Sequence, residues 1–416
     1  MTLWTKALQD DFEAQSHSVR EFYEANPYPR PEDSLDRYRD LWKDPSRLRG
    51  EFHLCWPTRS YGDDRTILVA GCGTSQAAKY ALHWPKAKVV GIDVSARSIE
   101  ETEKLKRRYG LENLDLFRTS VERVGEIGGG FDQIVCTGVL HHLPVPDAGL
   151  RALRDALAPE GAMHLMVYAP YGRAGVYMMQ DYCRRIGIST APSAVRDLAT
   201  TLAALPPDHP LVPLLRDAPD FRSYAGVADA LLNPQDRSYS APQLFEFIRS
   251  AGLQFGRWLR QAPYSPECGS PATTAHAQLL RGLPEAEQYA AMELFRGAMV
   301  RHSAILFRDD LPGKAQPIHF DDDGWRDYIP IRIHDTVCIE EGLTAGAAAV
   351  LINRHHQFAD LSLPLDAQEK EMFDAIDGVR SAGEIARRGH HAEVARSLFE
   401  RLWRYDQVVF EAPLSV

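Results

Sequence analysis

The sequence predicts an α/β protein built on a doubly wound parallel sheet, on three observations. From Thr66 to Tyr168, apolar runs of strand length alternate with helix-like segments, the order of a parallel sheet with crossover helices. The strand-like runs are apolar at successive positions, as expected where helices cover both sheet faces. The first run, "TILVA" (66–70), breaks into Gly71-Cys72-Gly73 and then an alanine-rich stretch. That succession reads as a strand, a tight turn and a helix, a place where backbone approaches a nucleotide-like ligand.

Each element follows in chain order. Residues 1–60 hold helix-like stretches and the loop "EFYEANPYPRPE", read as an N-terminal helical lid. After the first strand and its helix, "AKVVGID" (87–93) gives a second strand. Ser95 can cap the next helix, which ends near Gly110. "LDLF" (114–117), "FDQIVC" (131–136) and "AMHLMVYA" (162–169) continue the sheet, with "DAGLRALRDALA" (147–158) as a helix between the last two. Residues 171–238 are rich in proline, as in "LPPDHPLVPLL", and carry no strand signal. They are expected to form an insertion across the top of the sheet. "SAPQLFEFIRSAGLQFGRWL" (240–259) then reads as a capped helix, with Leu244, Phe247 and Ile248 on one face, followed by a strand. A helix from about Pro284 and the strand "SAILFR" (303–308) close the domain.

Past "DDLPGK" (309–314) the character changes. "IRIHDTVCIEEGLTAGAAAVLINR" suggests two strands. Asp366 to Glu369 and Ser381 to Glu384 are capping-box spacings, and Val394, Leu398 and Leu402 form a stripe on a third helix. "QVVFE" (407–411) ends the run as a strand. Three small helices and a closing strand predict a winged-helix-like domain. The expected spans are therefore a lid at 1–60, a sheet domain at 61–308 and a C-terminal domain at 309–416.

Composition narrows the function classes. Of 416 residues, 44% are hydrophobic and 25% charged, ordinary values for a globular protein. No apolar run approaches the ~18 residues of a membrane span, and the polar N-terminus is unlike a secretory signal. The six cysteines include no C-x-x-C pair, which points to reduced thiols in a cytoplasm. A net charge of −10 argues against a general nucleic-acid binder, which needs basic surface.

The glycine turn limits its own ligand. A phosphate loop of the Walker type needs a glycine-lysine-Ser/Thr ending, whereas Lys79 follows Ala78 within the helix. A dinucleotide fingerprint needs a third glycine where Gln76 stands. What remains is a short G-x-G turn with Asp93 at the tip of the second strand, 22 residues after Gly71. A carboxylate there can accept both hydroxyls of a ribose, so the ligand should carry a ribose and need not carry a phosphate.

"ILVAGCGTS", "VVGIDVS", "FDQIVCTGVLHHLP" and "LAPEGAMHLMVYA", in this order and spacing, resemble the class I methyltransferases that use S-adenosyl-L-methionine (SAM). The resemblance is close over roughly 66–170 and extends by helix-strand pattern to about 308. It implies a Rossmann-like methyltransferase sheet with SAM as cofactor. Gly71, Cys72 and Gly73 would bracket the methionine part, Asp93 would hold the ribose, and Val94 would sit beside the adenine. Ser120 and Val121 would lie along the adenine edge, Thr137 and Gly138 below the sulfonium. Three positions depart from the family's habit: Val69 replaces an acid, Ser75 a glycine, and Ser120 the adenine-side acid, with Glu122 nearby.

The remaining chemistry concerns the acceptor. His141 or His142 is a candidate general base, because imidazole titrates near neutral pH. No metal is expected: adjacent histidines rarely make a bidentate site, and Cys136-Thr137-Gly138 stand where a metal-dependent member would carry acids. His355-His356 and His390-His391 are expected to be surface pairs. "NPYP" (26–29) lies upstream of the sheet and is read as a lid loop, with Tyr28 toward the cofactor and Tyr23 toward the acceptor. "DRSYS" (236–240) offers Arg237 and Tyr239 as substrate contacts, and Tyr168 ends the fifth strand. The expected activity is metal-independent methyl transfer to oxygen or nitrogen of a small molecule. The alternative is a protein or peptide substrate recruited by the C-terminal domain, which resembles a small peptide-binding chaperone domain. A homodimer is compatible with either; membrane and nucleic-acid partners are not expected. A SAM-binding regulator and a nicotinamide oxidoreductase are the readings from other classes.

Overall fold

The computed structural model describes residues 15, 17–310, 318–386 and 392–413. They form two compact units. One comprises 1–39, 63–255 and 297–310, the other 40–62, 256–296 and 311–416. The units are thus interleaved along the chain, where the sequence pattern suggested three consecutive blocks.

The first unit is organised by strands β1 (Thr66–Ala70), β2 (Lys88–Asp93), β3 (Leu114–Arg118), β4 (Phe131–Thr137), β5 (Leu157–Tyr168) and β7 (Arg301–Arg308), with β6 (Leu253–Trp258) starting in it and ending in the second. Among the described residues they make one sheet in the order β3-β2-β1-β4-β5-β7-β6. β1 runs parallel to both β2 and β4, and β7 runs antiparallel to β5. Ile67, Leu68, Val69 and Ala70 are fully buried, as the uninterrupted apolar run requires. The helix Gln76–His83 turns Ala77, Ala78 and Ala81 toward the sheet. It packs so closely that a Cβ on Gly91 would stand 2.7 Å from the Ala77 methyl. Ser95 caps the helix Ala96–Tyr109 by accepting from the Ser98 N–H, and Gly110 ends it at φ 62°.

β5 begins at Leu157, earlier than the apolar run at 162 implies. Its pairing with β4 shifts register between Phe131 and Gln133. The turn-like Gly161 is carried inside the strand, where a side chain would meet the Phe131 carbonyl at 2.9 Å.

The expected insertion is helical: Ala174–Arg185, Pro192–Leu202, Val212–Asp217 and Tyr224–Leu232. Several of its prolines stand in first turns, where a missing N–H costs no hydrogen bond. Val176, Leu198, Leu211 and Val227 form its buried core together with Phe22. Phe22 belongs to a helix over 17–25.

The second unit holds β9 (Thr336–Ile339), β10 (Ala349–Asn353) and β11 (Ser362–Leu365) as an antiparallel sheet, while β8 (Ile329–Arg332) pairs with β12 (Val408–Glu411). Both capping boxes form, at Asp366 and at Ser381. The helix Ala392–Arg404 buries Leu398 and Leu402. Residues 40–62 join this unit through Leu54, which packs with Ile331 and Val409, and through Arg49, which pairs with Glu411 at 2.5 Å. His355 lies at the surface against Asp335, but the His356 side chain is only 3% exposed and faces Asp406 at 3.1 Å. His356 is therefore a correction to the expected surface pair. The buried Asp406 carboxylate, which also accepts from the Gln261 and Ala262 N–H groups, draws it inward. His390-His391 lies outside the described residues. No described helix is long and apolar enough to cross a membrane.

Candidate functional site

Strand ends create the site. β1 stops at Ala70, and the backbone turns through Gly71 at φ 69° and Gly73 at φ 54°, conformations that cost a side chain. Space excludes one as well. A Cβ on Gly71 would lie 2.3 Å from a Val139 methyl, and one on Gly73 would meet Pro29 Cδ at 2.9 Å and the Tyr28 carbonyl at 3.0 Å. The turn floors a cavity of about 530 Å³, within the range of small-molecule and cofactor pockets.

Asp93 ends β2 beside the turn. One carboxylate oxygen accepts from the Gly73 N–H at 2.8 Å, the other from the Ser95 N–H at 2.9 Å. Burial raises its pKa, and the two N–H donors oppose that rise. A carboxylate has about four acceptor positions, so Asp93 keeps capacity for two hydroxyls from the cavity it lines. Val94 and Val121 line the same region; so does Thr119, whereas Ser120 does not. Thr137 and Gly138 follow β4 into the cavity, and Thr137 Oγ1 accepts from the Gln76 side chain at 2.9 Å. Gln76, which excluded a dinucleotide fingerprint, thus ties the first helix to the end of β4.

The segment before the sheet closes over this turn. Thr74 Oγ1 donates to the Pro29 carbonyl at 2.8 Å. Glu32 receives Lys79. Glu24 accepts from the Ala96 N–H at 2.8 Å, capping the helix after β2. The same segment reaches the insertion, where the Tyr28 hydroxyl donates to Asp220 at 2.7 Å and the Tyr23 hydroxyl to Asp229 at 2.9 Å. Tyr23 and Tyr28 both line the cavity.

The two neighbouring histidines separate. His141 is fully buried, does not line the cavity, and has no hydrogen bond at either ring nitrogen among the described residues. Its ring stands 3.9 Å from that of Tyr168. Burial first, then His142 and Arg173, holds its pKa well below the ordinary 6.5. His142 lines the cavity, and its Nδ1 lies 2.5 Å from the Gln235 carbonyl. A carbonyl only accepts, so Nδ1 carries the proton and Nε2 of the neutral ring carries the lone pair.

Tyr168 also lines the cavity, but Arg237 and Tyr239 do not. The Arg237 guanidinium donates to the Pro144 carbonyl at 2.9 Å. Tyr239 stacks on Phe247 at 4.9 Å, and burial pushes its pKa up to about 12. "DRSYS" instead braces the residues that face the cavity. Asp236 takes Arg173 at 3.1 Å and Gln180 at 2.8 Å, and the Tyr239 N–H donates to the Tyr168 carbonyl at 2.9 Å. Arg173 and Arg301 line the cavity and were missed by sequence reasoning. Neither belongs to a recognisable motif, and each arrives through an element far along the chain.

The family described as a methyltransferase domain matches residues 68–163. An uncharacterised Synechococcus protein is 29% identical over 71% of this chain and 73% of its own length. The tRNA U34 carboxymethyltransferase of Cellvibrio japonicus is 31% identical over 28% of this chain and 37% of its own. The structure of PKMT2 from Rickettsia typhi in complex with AdoHcy superposes with a TM-score of 0.58 at 19% identity, covering 87% of this chain and 73% of that one. That superposition shows a shared fold. The methyltransferase domain is matched across both the glycine turn and the carboxylate at the tip of β2, and the fold is shared with a structure holding AdoHcy, which together support a SAM-dependent methyltransferase domain of the class I fold in this chain.

Proposed function

We propose that this enzyme transfers the methyl group of SAM to oxygen or nitrogen of a small-molecule acceptor, without a metal. Gly71, Cys72 and Gly73 hold the methionine part in this reading, Asp93 the ribose, Val94 and Val121 the adenine, and Thr137 and Gly138 the region near the sulfonium. Bound SAM supplies a methyl group already activated by positive charge on sulfur. The chain's own contribution is to place an acceptor in line, exclude water and take a proton where the acceptor has one to lose.

The observation that carries the proposal is His142. Its Nδ1 is fixed on the Gln235 carbonyl, which leaves the lone pair on Nε2, and the residue lines the cavity that also holds the glycine turn. His141 is set aside as a base, since it does not line the cavity. The second support is enclosure: helices of the insertion and the segment 17–39 supply lining residues, among them Tyr23, Tyr28 and Asp220. A space of that size suits a small molecule.

His142→Gln keeps an amide of similar reach but removes the base. We expect kcat to fall by about 10²–10⁴-fold with the SAM Kd unchanged, measured on an acceptor found by incubating cell extract with methyl-labelled SAM. Labelled metabolite in that incubation supports the reading. Labelled protein would overturn it in favour of a peptide or protein acceptor.

A further inference from the structure

We propose that the acceptor carries an anionic group, a carboxylate or a phosphate, and that Arg173 and Arg301 read it. This rests on the small-molecule reading and narrows its substrate class. Both arginines line the cavity beside Tyr168. The Arg173 guanidinium carbon stands 3.5 Å from the centre of the Tyr168 ring, and Arg301 is the direct partner of Tyr168 across the β5–β7 ladder.

Arg173 is only 8% exposed, and a cation so buried must be paired and oriented. Its Nη2 donates to Asp236 at 3.1 Å and its Nε to the Tyr177 hydroxyl at 3.3 Å. Nη1 has no partner among the described residues. A guanidinium carries five N–H groups in a planar fork, so the fork retains donors for a ligand while Asp236 holds its orientation. That suits an oxyanion, which takes two parallel N–H bonds. Arg301 has no ion-pair partner among the described residues and is exposed.

Among the described acids, Asp236 pairs with Arg173 and none pairs with Arg301, so the two arginines keep one net positive charge beside it. Asp236 takes Arg173 and Gln180 through Oδ2, and its Oδ1 has no hydrogen-bond partner among the described residues. Asp220, also on the cavity, accepts the Tyr28 hydroxyl at 2.7 Å. Asp229 accepts from Tyr23, and burial raises its pKa, so its charge is disfavoured. The anion is the handle, not the atom methylated. The His142 ring centre lies 5.7 Å from the Tyr168 ring, the same ring that carries Arg173, so one small molecule can meet both side chains.

The test is calorimetric titration of the full-length protein saturated with S-adenosylhomocysteine. Benzoate and inorganic phosphate serve as anionic probes and benzyl alcohol as the neutral control. We expect one or both anions to bind and benzyl alcohol not to bind. Arg173→Gln and Arg301→Gln should each weaken the anion by about tenfold, one hydrogen bond to a charge, with affinity for S-adenosylhomocysteine unchanged. Arg301 is exposed at a strand end, so its variant keeps the test valid if Arg173→Gln fails to fold. Two results overturn the proposal. One is failure of both anions to bind the wild-type complex. The other is variants that lose S-adenosylhomocysteine but not the anion, which would assign the arginines to the cofactor's own carboxylate. Binding of S-adenosylhomocysteine is measured first and the anions are also titrated without it, so a failed cofactor reading is told apart from a failed anion reading.

Discussion

At the scale of single residues, the site depends on which atoms still have hydrogen-bonding capacity. Asp93 spends part of its carboxylate on the Gly73 and Ser95 N–H groups and offers the rest to the cavity. Hydrogen bonds to a charged group contribute about 1.5–3 kcal/mol, so Asp93→Ala should weaken SAM binding about ten- to a hundredfold by calorimetry. Unchanged affinity in a folded variant would remove Asp93 from the ribose site. His141 supplies a pH prediction. Its folded-state pKa lies well below the ordinary 6.5, chiefly because of burial. Below about pH 6.5 the unfolded chain takes up a proton that the folded chain refuses. Stability from this residue is therefore complete above that pH and declines as pH falls, by at most about 1.4 kcal/mol per pH unit, until the folded pKa is reached. His141→Phe keeps a ring against Tyr168 and should flatten that decline in denaturant unfolding measured from pH 7 to 5. An identical pH slope in the variant would show that His141 titrates normally.

At the scale of elements, turns and caps decide what the sheet presents. Gly73 is closed by backbone as well as side chain, since its left-handed backbone and the Tyr28–Pro29 stretch both exclude a side chain. A non-glycine residue in the left-handed region costs roughly 1–2 kcal/mol. Gly73→Ala should lower stability by about that amount, and it should also lose SAM affinity because Pro29 must move. Denaturant unfolding and calorimetry read the two effects separately, and wild-type SAM affinity would mean that the loop lies clear of the cofactor. Elements also explain what periodicity concealed. The start of β5 was hidden because Pro159 to Gly161 looks like a turn, and only pairing with Phe131 shows it to be strand. Prolines made the insertion look irregular, yet several occupy first turns of helices.

For the whole molecule, the interleaving of the two units matters most. Residues 40–62 and 256–296 share a unit with 311–416, through contacts such as Leu54 and Leu259 with Ile331 and Val409. Deleting 309–416 removes those partners, including the Glu411 carboxylate that holds Arg49. The truncated chain should therefore be cut rapidly at 40–62 and 256–296 in limited proteolysis followed by mass spectrometry. Resistance at both segments would show that they need no partner from the C-terminal region.

The sequence by itself determined the alternating sheet, the glycine turn, Asp93 and the cofactor class, because these rest on local spacing: apolar runs, two glycines that need left-handed backbone, and a carboxylate at a strand end. It also singled out Tyr23, Tyr28 and Tyr168, which line the cavity. Only the tertiary structure decided that His142 rather than His141 faces the cavity, and that Arg173 rather than Arg237 supplies the guanidinium. Those outcomes depend on bonds between residues far apart in the chain, His142 with Gln235 and Arg173 with Asp236. Neighbouring side chains on a single turn differ only in direction, and direction is set by partners that local pattern does not contain.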